Sequence, residues 1–102
     1  MTRLDDKPLL LFFTSERSGP ARRMESLLAH LARKERSRLR ISLVDADESP
    51  ELKEALSVTQ IPTLVLVKGR RTVARLEGRV SAPQIEKMIA PYLEPDAERA
   101  VA

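Results

Sequence analysis

Five consecutive apolar residues, Leu9-Leu10-Leu11-Phe12-Phe13, constrain this chain more than any other feature of its sequence. A strand with one wet face alternates polar and apolar side chains. A run with no polar member fits a strand buried on both faces, at the centre of a sheet covered by helices on each side. The 102 residues suit one domain, residues 1–102, and leave no room for two. The ordered core is expected over about 8–93, with a flexible tail over 94–102 that has little to pack against. Aromatic residues are only Phe12, Phe13 and Tyr92, so aliphatic side chains must fill the rest of the core.

After the apolar run the periodicity changes. Ser15 to Pro20 is a loop rich in turn residues, and from Ala21 onward Met24, Leu27, Leu28 and Leu31 recur at helical spacing on one stripe. Pro20 falls in the first turn of that helix, where its missing N–H is harmless, and Ser18 is placed to act as N-cap. Leu39 to Asp45 reads as a second strand. Ser49-Pro50-Glu51 opens a short helix, with Ser49 as N-cap, that is expected to turn Leu52, Ala55 and Leu56 inward. Pro62 to Lys68 is a third strand, Gly69-Arg70-Arg71 a tight turn, and Thr72 to Glu77 the hairpin partner. Ser81-Ala82-Pro83 opens a last helix through Ile85, Met88, Ile89 and Leu93. The order β-α-β-α-β-β-α implies an α/β fold: a right-handed parallel unit followed by an antiparallel hairpin and a helix.

Charge and composition exclude several functions. The net charge is +3, and 13 of the 18 basic residues are arginine, with Arg33, Lys34, Arg36, Arg38 and Arg40 in one short stretch. That stretch suits an acidic partner or a phosphate backbone, but a solvated helix end explains it as well. No aromatic residue is interleaved there to stack bases, so nucleic acid is disfavoured as a partner. The single histidine, His30, falls off the apolar stripe and reads as a surface residue, which with zero cysteines argues against a zinc site. No cofactor is expected. No stretch of 18 apolar residues is present to span a membrane, and Leu9 to Phe13 is too short for a signal-peptide core. The cytoplasm is the default location, and the abundance of Arg, Ala and Leu points to a GC-rich bacterial source.

The element order, with Ser18-Gly19-Pro20-Ala21 at the first helix and Ile61-Pro62-Thr63 before the third strand, resembles the thioredoxin family. Members carry Cys-Gly-Pro-Cys at the first place and a cis-proline, usually in Ile-Pro-Thr, at the second. Val44-Asp45-Ala46-Asp47, Lys68-Gly69 and Gly78 fit the same pattern, and the likeness runs from about Leu9 to Leu93. The resemblance implies the thioredoxin fold in its minimal form, a four-stranded mixed sheet in the order 2-1-3-4 flanked by helices. It further implies a cis bond before Pro62, which local propensity alone would not select.

For activity the departures weigh more than the likeness. Thioredoxin chemistry uses a thiolate of low pKa at a helix N-terminus and a second thiol to resolve the mixed disulfide. Ser18 and Ala21 occupy those two positions. By the same alignment Phe12 stands at the family's proton-shuttling aspartate, Leu43 at its lysine partner, and Arg17 at the tryptophan before the motif. With the ionisable pair gone, both positions are expected to join the apolar core. The chain is therefore expected to be redox-inactive and to be no enzyme.

The family's substrate groove implies a peptide-binding surface at Arg17, Ser18, Gly19, Pro20, Ile61, Pro62, Glu77 and Gly78, where an extended segment adds to the backbone before the proline. Arg17, Arg22 and Arg23 form a basic edge suited to an acidic peptide or subunit, so the leading expectation is an adaptor or scaffold. Two other readings stand beside it. Ser18 is placed as glutathione transferases of this fold place a serine, although their helical second domain is missing. The basic stretch Arg33–Arg40 allows weak, salt-sensitive nucleic-acid binding.

Overall fold

The computed structural model describes residues 7–94. The elements in chain order are β1 (Leu9–Thr14), α1 (Gly19–Lys34), β2 (Arg40–Asp45), α2 (Pro50–Ala55), β3 (Thr63–Lys68), β4 (Arg71–Glu77) and α3 (Ala82–Ile89), followed by a 3-10 turn at Ala90–Tyr92. The strands form one mixed sheet in the order β2-β1-β3-β4. β1 runs parallel to β2 and antiparallel to β3, and β3 runs antiparallel to β4. The expected flexible tail falls almost wholly outside the described residues.

The apolar run lies where its composition demands, on a central strand with a core on each side. Leu10 and Phe12 face one core with Met24, Leu28 and Leu31 of α1 and Ile85 and Ile89 of α3. Leu11 and Phe13 face the other, with Val44, Ala46, Val58 and Val65. Phe12 and Phe13 are both fully buried. Adjacent residues on a pleated strand point to opposite faces, so each aromatic serves a different layer.

Local chemistry sets the ends of the helices. α1 starts at Ser18, whose Oγ accepts from the Ala21 N–H at 3.1 Å, with proline in the first turn. α3 starts with a capping box: the Ser81 side chain accepts from the Gln84 N–H, and the Gln84 side chain accepts from the Ser81 N–H. α2 differs from the sequence expectation. Ser49 makes no side-chain cap bond, and the helix has no fully buried residue. Leu52 is 38% exposed, and Ala55 also faces solvent. One short turn over a sheet edge can bury only the residue nearest its end, Leu56, which packs on the second core.

The end of α2 is held instead by backbone chemistry. Ser57 adopts φ 55°, its N–H donates to Glu54 O, and the Val58 N–H donates to Lys53 O at 2.8 Å. This is the paired bonding of a helix that stops in a left-handed residue, here serine instead of the usual glycine. Arg75 of β4 reaches over and donates to the carbonyls of Leu56 and Ser57. The hairpin between β3 and β4 turns through Gly69 and Arg70, at φ 61° and 66°, the paired positive values of a two-residue turn that matches strand twist.

Leu43 departs from its expected place in the core. It sits on β2 opposite Phe12 but is 50% exposed. β2 is an edge strand of the described sheet, and Leu43 lines an open pocket there beside Arg22 and Glu25 of α1. The position became apolar without becoming interior.

Candidate functional site

The strand register gathers the sequence landmarks at one end of the sheet. Thr14 at the end of β1 lies beside Asp45, Phe13 pairs with Thr63 at the start of β3, and Thr63 pairs with Glu77 at the end of β4. The Ser18 loop, the segment before Thr63 and Gly78 therefore emerge from the same edge. The Gly78 N–H donates to Pro62 O at 2.8 Å, which ties two of these segments directly. Gly78 has φ 82°, a left-handed value that a side chain would strain. The Ile61–Pro62 peptide bond is cis.

A hydrogen-bonded frame fixes the motif loop. The Ser18 N–H donates to Ser15 O at 3.0 Å, and the Arg17 N–H donates to Ser15 Oγ at 3.2 Å. Ser15 Oγ in turn donates to the Asp47 carboxylate at 2.6 Å. Ser15 is 7% exposed, so this bond anchors the loop to the segment after β2 from within. On the other side, Thr63 Oγ1 donates to Gln60 O at 2.7 Å and pins the approach to Pro62. Neither anchor was evident in the sequence, because a lone serine or threonine at a strand end carries no spacing signal.

The chemistry available at the motif is limited by its residues. Ser18 is half-buried and its oxygen already accepts from the helix N-terminus, while Ala21 is fully buried beneath it. A serine becomes a nucleophile only beside a base, and no side-chain base is hydrogen-bonded to Ser18 among the described residues. Its visible work is capping. Replacing Ser18 with alanine is expected to lower stability by about 1 kcal/mol, the ordinary worth of an N-cap. A thermal midpoint unchanged within error would show that the cap bond carries no weight. Among the described residues no group of three or more His, Cys, Asp or Glu side chains is arranged to hold a metal ion.

The basic edge is less uniform than the sequence suggests. Arg17, Arg22 and Arg23 are all exposed, and Arg23 lies beside Gly19. Arg22 instead lines an open pocket together with Glu16, Glu25, Asp45 and Leu43. Glu77 pairs with Arg75 at 3.5 Å. The stretch from Arg33 to Arg40 lies at the opposite end of the sheet, where Arg40 pairs with Leu9 at the start of β1. Two of its five cations are already engaged, Lys34 with Glu86 and Arg38 with Glu35, each at 2.8 Å. His30 is exposed.

Known proteins share both this sequence and this architecture. The thioredoxin family model matches residues 2–91. A thioredoxin of Alicyclobacillus acidocaldarius is 34% identical over 89 residues, covering 87% of this chain and 85% of its own. The crystal structure of Deadhead, a germline-specific thioredoxin of Drosophila melanogaster, superposes with a TM-score of 0.80 at 33% identity, over 85% of this chain and 82% of that one. The thioredoxin of Fasciola hepatica reaches the same TM-score at 24% identity, over 86% of this chain and 83% of its own. The family match over residues 2–91, with 34% identity to a thioredoxin over most of both chains, establishes that the chain belongs to the thioredoxin family.

Proposed function

We propose that this protein is a redox-inactive thioredoxin-like binding module, an adaptor or scaffold that holds an extended, acidic segment of another protein at the motif end of its sheet. The observation that carries this reading is a contrast within one site. The frame of the site is in place, with the Ser18-capped helix start, the Ser15–Asp47 anchor and the Gly78–Pro62 hydrogen bond. The chemical groups are not, since the chain has no cysteine and Phe12 fills the position of the buried carboxylate. A frame without its reactive atoms still offers backbone donors and acceptors to a peptide strand. Arg17 and Arg23 beside the motif supply the charge preference, and Arg22, which shares its pocket with Glu16, Glu25 and Asp45, contributes less.

The test is a titration of the isotope-labelled protein with acidic, extended peptides, followed by amide NMR shifts. Shifts should concentrate at Ser18, Ile61 and Gly78, and charge reversal of Arg17 and Arg23 to glutamate should weaken binding at least tenfold. Amides at Ile61 and Gly78 that stay still while peptide binds elsewhere would sink the groove reading.

A further inference from the structure

The end of the sheet opposite the motif collects positive charge from distant parts of the chain. The β1–β2 register puts Arg40 beside Leu9 at that end. The β1–β3 and β3–β4 registers bring Lys68 and Arg71 there too, around the tight turn that holds Arg70. Helix α1 runs out from the motif and finishes in Arg33 and Lys34, with Arg36 and Arg38 between it and β2. Only the stretch Arg33–Arg40 stands out in sequence. The hairpin turn, far along the chain, joins it through the fold alone.

Each acidic side chain described at this end already has a cation. Glu35 pairs with Arg38 at 2.8 Å, Glu86 with Lys34 at 2.8 Å and Glu94 with Lys68 at 3.6 Å. Arg33, Arg36, Arg40, Arg70 and Arg71 are left, all exposed and none in an ion pair among the described residues. The remainder of the chain is too weakly charged to neutralise them. Outside residues 7–94 the ionisable side chains are Arg3, Asp5, Asp6, Asp96, Glu98 and Arg99, four acids against two arginines.

The chemistry of the patch selects its partner. Guanidinium forks match phosphate oxygens two at a time. The exposed large hydrophobic residues described, Leu43 and Leu52, lie elsewhere, on β2 opposite Phe12 and on α2. A protein partner calls for apolar anchors at the centre of its interface, and stable docking on a membrane calls for a second, apolar signal beside the basic one. Aromatics to stack single-stranded bases are lacking as well. Phe12 and Phe13 are buried, and Tyr92 packs on the core with its hydroxyl donating to Val73 O. A partner held by charge alone fits best, the phosphate backbone of a duplex.

We propose that this end of the sheet binds double-stranded DNA through its phosphates, without reading the sequence. The outer strands β2 and β4 lie three strand spacings apart. That is about 14 Å, close to the major-groove width of about 12 Å that separates the two phosphate backbones. Arg40 shares the α2 face of β2 with Val44. Arg71 lies opposite Lys68, which reaches Tyr92 O on the other face, where α1 also packs. The cations therefore rim the end of the sheet on both sides, and each side is placed to meet a different strand of the duplex.

Fluorescence anisotropy of a labelled DNA duplex of about 20 base pairs, titrated with the full chain at several salt concentrations, tests this. Two duplexes of unrelated sequence should bind equally. Affinity should fall with salt along a logarithmic slope of about −4 to −5, as five phosphate contacts require. The variant Arg70→Asn/Arg71→Gln, with a residue that tolerates the left-handed turn, should weaken binding at least tenfold and make the slope shallower by about 2. Arg36→Gln/Arg40→Gln should do the same. Arg17→Gln/Arg23→Gln at the motif should leave duplex affinity unchanged. No binding at low salt, an unchanged slope in both far-end variants, or an equal loss in the motif variant overturns the proposal. So does tighter binding to single strands, phosphatidylserine vesicles or polyglutamate. The motif arginines are spared in the far-end variants, so failure here is distinct from failure of the peptide groove.

Discussion

Replacing Phe12 with aspartate, the residue that thioredoxins place there, is expected to unfold the domain at neutral pH. Phe12 is fully buried among Leu10, Leu28, Leu64, Leu66 and Ile85. Removing so large an aromatic side chain from a core costs about 3–5 kcal/mol. Leaving an ionised carboxylate there without a partner adds several kcal/mol more, or forces it to take up a proton. A domain of this size has only about 5–15 kcal/mol in total. The neighbouring strand gives no help, because Leu43 is apolar and points to solvent. Burial raises the folded-state pKa of such a carboxyl above its unfolded value, so the deficit should shrink as pH falls towards the ordinary carboxylate range and grow as pH rises. Urea titrations of wild type, Phe12→Asp and the milder Phe12→Leu at two pH values would measure it. A Phe12→Asp protein with the wild-type midpoint at neutral pH would mean that this side chain is not structural.

The second large effect concerns the missing thiols. Wild-type protein is expected to show no insulin-reducing activity, since no sulfur is present to accept or pass electrons except in its methionines. The double variant Ser18→Cys/Ala21→Cys should gain activity and, on oxidation, lose both free thiols to an internal disulfide. The places are suited to it. Position 18 is a half-buried helix cap whose oxygen already draws on the Ala21 N–H, so a thiolate there would gain the same stabilisation. Position 21 is buried directly beneath. Turnover should nevertheless fall well below that of a complete thioredoxin, by a factor of about 10²–10⁴ if proton transfer to the resolving thiol contributes as general acid–base catalysis does elsewhere. Phe12 cannot move a proton. Full thioredoxin-like rates in the double variant would show that the buried carboxylate is dispensable here, and insulin reduction by the wild type would overturn the inactive reading altogether.

What the sequence revealed depended on how local the physics was. The unbroken run from Leu9 to Phe13 located the central strand because burial on both faces leaves no room for polar alternation. Ser18 with Pro20, and Ser81 with Pro83, marked two helix starts because capping acts over three residues. The order of strands β2-β1-β3-β4 came through the family resemblance, since the parallel unit and the hairpin fix only the β1–β2 and β3–β4 contacts. Apart from the missing Ser49 cap bond, the misplaced expectations concern which side of an element is covered, a question that neighbouring residues cannot answer. Leu43 and Leu52 look like core residues in sequence, yet an edge strand and a one-turn helix leave them outside. At the candidate site, the motif and the segment around Pro62 were legible through resemblance. The Ser15–Asp47 bond and the Arg75 contact with the end of α2 were not, since each joins residues far apart in the chain.

The side-by-side aromatics of β1 have a consequence for how the molecule comes apart. Because Phe12 anchors one layer and Phe13 the other, neither layer owns a strand of its own, and peeling α2 or α3 from its face leaves the shared strand half-dressed on that side. Damage to one side is thus passed to the other through a single segment of backbone. A protein built this way is expected to melt as one cooperative unit, with no surviving half.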